Sequence, residues 1–196
     1  MTHPEEVLEM FVKSGALKEG HFLLSSGLHS PQYMQCALVL EEPRRAERLG
    51  RELAGLVGEA QAVISPALGG VIIGHEVARA AGARFLFTER DTTGRAVLRR
   101  GFALRPGERV VVVEDVVTTG GSTREVIEVA RAAGAEVLAV AAIVDRSGGR
   151  ADFGMPFFSL LSLEVPAFAP EQCELCRSGV PVEKPGSRGT GEQGSQ

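Results

Sequence analysis

Residues 110–145 run VVVVEDVVTTGGSTREVIEVARAAGAEVLAVAAIVD, and the fold is decided there. The stretch opens on an unbroken β-branched run, VVVVE (110–114), followed by a turn, DVVTTGG (115–121). Next comes STREVIEVARAAG (122–134), whose apolar residues recur at helical spacing and which stops at a glycine. A second solid apolar run, AEVLAVAAIVD (135–145), closes it. A strand with one wet face alternates apolar and polar residues, whereas a strand that is apolar throughout needs cover on both faces. Two such runs joined by a helix make a βαβ unit with parallel strands.

The same rhythm extends upstream. AVIS (62–65) predicts a short buried strand, PALGG (66–70) a turn, VIIGHEVARAAG (71–82) a helix ending at Gly82, and RFLFTE (84–89) another strand. The expected fold class is therefore α/β, a mostly parallel central sheet flanked by helices. Around this frame, residues 4–14 suit a short amphipathic helix with Val7, Leu8, Met10, Phe11 and Val12 on its apolar side. Residues 21–40 suggest two extended pieces around a Ser-Gly turn, and Pro43 opens a helix to about Leu56. Residues 90–107 are polar and arginine-rich and are expected to form a loop. FFSLLSLEV (157–165) predicts an edge strand, and PGSRGTGEQGSQ (185–196) a flexible tail.

Composition narrows the function classes. The chain has 196 residues with a net charge of -4, which argues against a whole-surface nucleic-acid binder. No run approaches the roughly 18 apolar residues of a membrane span, and the acidic N-terminus lacks the pattern of a secretory signal. A cytoplasmic, soluble protein is the expectation. Of the 21 cations only Lys13, Lys18 and Lys184 are lysines, and asparagine is absent. The 24 glycines exceed the usual share of roughly 7%. Losing Asn shifts left-handed turns onto Gly, which accounts for part of that excess.

In parallel sheets, ligands bind beyond the carboxyl ends of the strands. There the 110–114 strand delivers Glu114 and Asp115, two adjacent carboxylates leaving an apolar run. Thr118, Thr119, Gly120, Gly121, Ser122 and Thr123 lead into a helix start at about Thr123. Hydroxyls, close-approaching backbone and a helix N-terminus suit a phosphate. The carboxylates suit sugar hydroxyls or a metal. A lone GG turn would be no more than a capped connection; the acidic pair argues for a ligand. Other phosphate motifs are missing, since the chain has no GxxxxGK[ST] and no GxGxxG after a strand.

VVVVEDVVTTGGST (110–123) resembles the phosphoribosyl-diphosphate binding signature of the type I phosphoribosyltransferases. HFLLSSGLHSPQY (21–33), LRRGF (98–102), VDRSGG (144–149) and a Cys-x-x-Cys tail ending in KPGSR (184–188) are similar to the orotate phosphoribosyltransferase family, over residues 5–188. The resemblance implies one catalytic domain over residues 1–184, with a small hood from 1–40 and part of 155–184. It implies transfer of ribose 5-phosphate from phosphoribosyl diphosphate to orotate with Mg2+, in a homodimer. It makes Glu114 and Asp115 the holders of the ribose hydroxyls. Thr118, Thr119, Gly120, Gly121 and Ser122 would cradle the 5-phosphate, Val116 and Val117 would also be substrate-binding, and Arg146 would pair the orotate carboxylate. In the SPALGG turn (65–70), the resemblance implies a diphosphate loop.

The resemblance further makes residues 90–104 a mobile cationic loop that closes over diphosphate, with Arg90 and Arg99 as its candidates. Lysines and a histidine are usual in that loop; Arg90, Arg95, Arg99 and Arg100 stand here instead. Ser25 replaces a frequent lysine, and Leu68-Gly69 an aromatic–lysine pair. Arginine supplies charge but, with a pKa above about 12, is a poor proton donor, so no general acid is assigned. A purine phosphoribosyltransferase would leave Arg146 without an anionic partner. A non-catalytic, nucleic-acid-binding regulator of the same fold would need a basic face.

His21, His29 and His75 stand as isolated structural histidines, and HEVAR (75–79) is not HExxH. Cys36, Cys173 and Cys176 are an odd number and too few for a disulfide scaffold. Cys173-Glu-Leu-Cys176 has the spacing of half a zinc site. The simplest reading is two inert thiols, the alternative a structural metal shared across a dimer, and no residue is assigned as a metal ligand.

Overall fold

The computed structural model describes residues 3–24 and 26–185. The order is α1 (Pro4–Lys13), β1 (Leu17–Leu23), β2 (His29–Met34), α2 (Ala37–Leu40), α3 (Pro43–Val57), β3 (Ala62–Pro66) and α4 (Gly69–Ala81). There follow β4 (Arg84–Arg90), β5 (Ala96–Leu98), β6 (Arg109–Val117), α5 (Gly121–Ala132), β7 (Glu136–Asp145), β8 (Phe157–Ser162), a 3-10 turn and α6 (Glu174–Arg177).

Six strands form one sheet in the order β5-β4-β3-β6-β7-β8. All neighbours are parallel except β4 and β5, which form an antiparallel edge hairpin. The apolar runs are solid because both faces are covered. Val111 and Val113 of β6 pack with Leu49 and Leu53 of α3 and Ile73 and Val77 of α4. Val110 and Val112 pack on the other side with Val126, Ile127 and Ala130 of α5. Phe11 and Val7 of α1 are fully buried in the first of these layers, where α1 meets β8 and α2. The edge strand expected at 157–165 is β8, parallel to β7.

Three boundaries differ from expectation, each for a physical reason. β6 continues to Val117 because Val116 and Val117 pair with Val144 and Asp145 of β7. Asp115, Val116 and Val117 thus lie in the strand, and the turn shrinks to residues 118–120. The helix starts at Gly121 because Gly120, at φ 75°, takes the left-handed N-cap conformation. Residues 90–107 are not wholly loop: Gly94, at φ 83°, turns β4 back along β5. In addition, the first extended piece begins at Leu17, and residues 37–40 are helical.

β1 and β2 form a separate antiparallel pair. The C-terminal segment lies along it through bridges of Phe22 with Glu183 and His29 with Phe168. The tail expected at 185–196 falls, beyond Pro185, outside the described residues, as does Ser25.

Candidate active site

The strand ends converge where the helices on both faces begin. The alternation of β6 sends Glu114 toward the start of α5, where Ser122 Oγ donates a hydrogen bond to Glu114 Oε2 at 3.0 Å. Asp115 faces the start of α4. A Cβ built on Gly69 would lie 2.7 Å from both Asp115 carboxylate oxygens, so only glycine lets the SPALGG turn approach this close. Each carboxylate therefore meets a helix N-terminus, whose partial positive charge favours an anion. That help is incomplete. Burial pushes the Glu114 carboxyl well above the usual carboxylate range, and the Asp115 charge pushes the same way. Burial also raises Asp115, against the backbone N–H of Val116 donating to it at 2.9 Å. Two acids held above their ordinary pKa at a sheet's ligand-binding edge mark a functional site.

The turn after β6 is braced from below. Arg124 Nη1 donates to the Thr119 carbonyl at 2.6 Å, Nη2 to the Asp152 carbonyl at 3.0 Å, and the guanidinium lies over the Phe153 ring at 5.2 Å. Gly120 rests against the same ring, 2.8 Å from where a Cβ would sit. Thr118 and Thr119 are exposed, Ser122 is half-buried, and Gly121 and Ser122 open α5. Hydroxyls and unpaired helix N–H groups thus share one rim, the arrangement that holds a phosphate.

Arg146 follows β7, and its backbone N–H donates to Val117 O at 2.8 Å, which ties it to the end of β6. Its Nε is buried with no hydrogen-bond partner among the described residues. Burial lowers its pKa, while Tyr33 and Cys36 pull the other way. The ion pair with Asp145 or Asp152 that would make it merely structural does not form. Asp145 Oδ1 accepts from Ser147 N and Asp152 Oδ1 from Gly154 N. A half-buried guanidinium with an unpartnered, buried Nε is poised for an anion.

The structure brings together Glu114, Asp115, Val116, Val117, Thr118, Thr119, Gly120, Gly121, Ser122 and Arg146. It leaves Arg90 and Arg99 on the β4–β5 hairpin. Arg90 is engaged there, with Glu125 of α5 and the Gly94 carbonyl at 2.8 Å. The Arg99 guanidinium is exposed and makes no hydrogen bond or ion pair among the described residues. Two further residues lie within electrostatic reach of the site and escape a sequence reading. Tyr33 and Cys36 lie within the fields of both Asp115 and Arg146, and burial raises each pKa first, with the Asp115 charge next. Nothing in their local pattern announces this, because β2 and the turn after it bring them there from a distant part of the chain.

Residues 39–174 match the family model of the phosphoribosyl transferase domain. An orotate phosphoribosyltransferase of Heliobacterium modesticaldum is 58% identical over 188 residues, covering 94% of this chain and 98% of the relative. This chain belongs to the orotate phosphoribosyltransferases. Another member of this enzyme family, from Thermotoga maritima, is 55% identical over 185 residues, covering 93% of this chain and 98% of its own length. The crystal structure of the orotate phosphoribosyltransferase from Aeropyrum pernix superposes with a TM-score of 0.67 at 30% identity, covering 80% of this chain and 93% of that one.

Proposed function

We propose that this chain transfers the 5-phosphoribosyl group of phosphoribosyl diphosphate to orotate, giving orotidine 5′-monophosphate and diphosphate. The observation that carries the choice of base is Arg146, a half-buried guanidinium at the end of β7 whose buried Nε has no partner among the described residues and whose backbone is tied to the end of β6. Orotate brings a carboxylate to it, and a two-point Arg–carboxylate contact is a strong, oriented one. A purine brings no such group.

In the reaction, orotate N1 forms a bond to C1 of the ribose as the bond from C1 to the diphosphate oxygen breaks. Diphosphate leaves with the electron pair, and the N1 proton passes to solvent. As the bond to diphosphate lengthens, the sugar becomes cationic at C1. Glu114 and Asp115 accept hydrogen bonds from the ribose hydroxyls and place negative charge under that cation. This also relieves their unfavourable burial, because the hydroxyls add donors to carboxylates otherwise served by Ser122 Oγ and the Val116 N–H. The 118–122 rim and the N-terminus of α5 fix the 5-phosphate, and the SPALGG turn at Gly69 faces the diphosphate side.

The residues fit Mg2+. This ion is held by one or two carboxylates together with substrate oxygens, and Asp115 presents such a half-buried carboxylate. Asp115, with Glu114 behind it, would hold the ion alongside the diphosphate, where it would neutralise the leaving group's charge.

Arg99 is read as the cation that closes over diphosphate and Arg90 as its weaker companion. In a homodimer the β4–β5 hairpin of one subunit reaches the partner's site, and the free Arg99 guanidinium supports that arrangement. Cytoplasmic operation is consistent with three free thiols. The test is incubation with phosphoribosyl diphosphate, Mg2+ and, separately, orotate, adenine, hypoxanthine and uracil. Turnover of orotate alone is expected. Turnover of a purine in its place overturns the choice of base, and turnover of none overturns the catalytic reading.

A further inference from the structure

Four residues with no part in the reaction meet at the far end of the hood. His21 of β1, His29 of β2, Cys173 at the N-cap of α6 and Cys176 within α6 present ligand atoms that all lie within 4.8 Å of one another. His21 Nε2 is 2.8 Å from His29 Nδ1, 3.4 Å from Cys173 Sγ and 3.6 Å from Cys176 Sγ. His29 Nδ1 is 3.1 Å from Cys176 Sγ. We propose that these four side chains form a structural site for a single tetrahedral divalent ion, Zn2+ foremost, which fastens the C-terminal segment to the hood.

The distances suit one ion. With Zn–N near 2.0–2.1 Å and Zn–S near 2.3 Å, the edges of a tetrahedron come to about 3.3–3.8 Å. The four nearest separations, from 2.8 to 3.6 Å, come within about half an ångström of that range and are tightest between the two imidazoles, and no pair is wider than 4.8 Å, so small side-chain shifts would seat the ion. The tautomer of His21 is also set for a metal. Its Nδ1 lies 2.7 Å from the Val180 carbonyl, which can only accept, so Nδ1 carries the proton and Nε2 turns a bare lone pair into the cluster. An imidazole and two thiols crowd that one lone pair. A hydrogen bond can satisfy one of them, whereas a cation satisfies all four at once. Two thiolates and two neutral imidazoles around a divalent ion sum to zero charge, so burying the site carries little desolvation penalty.

The segment needs such an anchor. From residue 162 to residue 185, Cys173 is the only buried residue. Backbone bonds hold this segment to β1 and β2: Leu23 N to Glu183 O at 2.7 Å, Glu183 N to His21 O at 2.7 Å, and a reciprocal pair between His29 and Phe168 at 2.8 Å. Such bonds contribute little net stability when water competes for them. A segment without its own core is the usual setting for a structural metal. The site would also bear on catalysis at a distance, since His29 and Tyr33 share β2 and Tyr33 lies within the fields of Asp115 and Arg146.

The experiment measures metal, not turnover. The full chain is expressed with added zinc, purified without chelator and assayed by elemental analysis; one equivalent per chain is expected. Co2+ exchanged into the site should give the intense visible bands of a tetrahedral ion and thiolate-to-metal charge transfer. Cys176→Ser and His29→Ala should each weaken metal binding by about 100-fold or more, while Asp115→Asn keeps the full equivalent. Removing the ion from the wild-type chain should lower its melting temperature and expose residues 163–185 to protease. Absence of metal in the wild-type protein, a Co2+ spectrum without thiolate bands, or a Cys173–Cys176 disulfide in the freshly purified protein would each overturn the proposal.

Discussion

The two ends of strand β6 each carry a buried glutamate, and the two are treated in opposite ways. Glu108, just before the strand, is 7% exposed, and Glu114, near its other end, is 5% exposed. Glu108 accepts from Arg84 Nε and Nη2, both at 2.7 Å, and from the Arg105 backbone N–H at 2.8 Å. Those partners, the Arg84 hydrogen bond foremost, hold its carboxyl below the ordinary range. Glu114 has one hydroxyl and a second acid for company, and its carboxyl is pushed up. The same residue at the same depth is thus satisfied where the sheet is merely held and unsatisfied at the end where we propose that the ribose binds. Natural folds tolerate such local frustration at functional sites, and the difference can be broken by substitution.

The largest effect is expected from Asp115→Asn. It should lower kcat/KM by about 100-fold or more, because the charge beneath the sugar cation is lost. The melting temperature should hold or rise, because a poorly solvated charge has been removed. Steady-state kinetics beside a thermal melt decide the matter. If activity stays within a few-fold of wild type, the acidic end is scaffold like the other end. A smaller effect is expected from Arg146→Ala. Loss of a charge-assisted contact of about 1.5–3 kcal/mol should raise the orotate KM roughly 10- to 100-fold. The KM for phosphoribosyl diphosphate should move far less. An unchanged orotate KM removes Arg146 from the base site.

The same contrast explains what a linear reading of the chain can reach. The sheet was legible because burial on both faces leaves its mark in consecutive residues: VVVV (110–113) and VLAVAAIV (137–144) allow no other placement. The turn proposed to hold the phosphate stood out for a related reason, since its acids, hydroxyls and glycines are contiguous. The turn's true start was not, because pairing with β7 carries β6 on to Val117, and pairing is a property of two strands. Tyr33 and Cys36 were invisible as neighbours of the site, and so was the convergence of His21 and His29 on Cys173 and Cys176. Each arises from segments far apart in the sequence coming together, where no local period records the approach. The His21–Cys173 approach joins positions 152 residues apart.

The smallest effect tests the comparison most directly, because it asks for opposite signs from two glutamates. Glu108 has a folded pKa below its ordinary 4.5, so its contribution is present above that value and is lost as pH falls through the folded pKa. Glu114 has a folded pKa above its ordinary 4.5, so its contribution is present below that value and is lost as pH rises through the folded pKa. Glu108→Gln should therefore be less stable than wild type at neutral pH, by about 1–2 kcal/mol, with the gap narrowing in acid. Glu114→Gln should be as stable as wild type in acid and more stable at neutral and alkaline pH. Chemical denaturation of both variants across the pH range, without substrate, measures the two differences. A shift of the same sign for both would mean that Glu114 is as well partnered as Glu108. The ribose hydroxyls would then have no unmet acceptor to engage, and the division of β6 into a holding end and a binding end would fail.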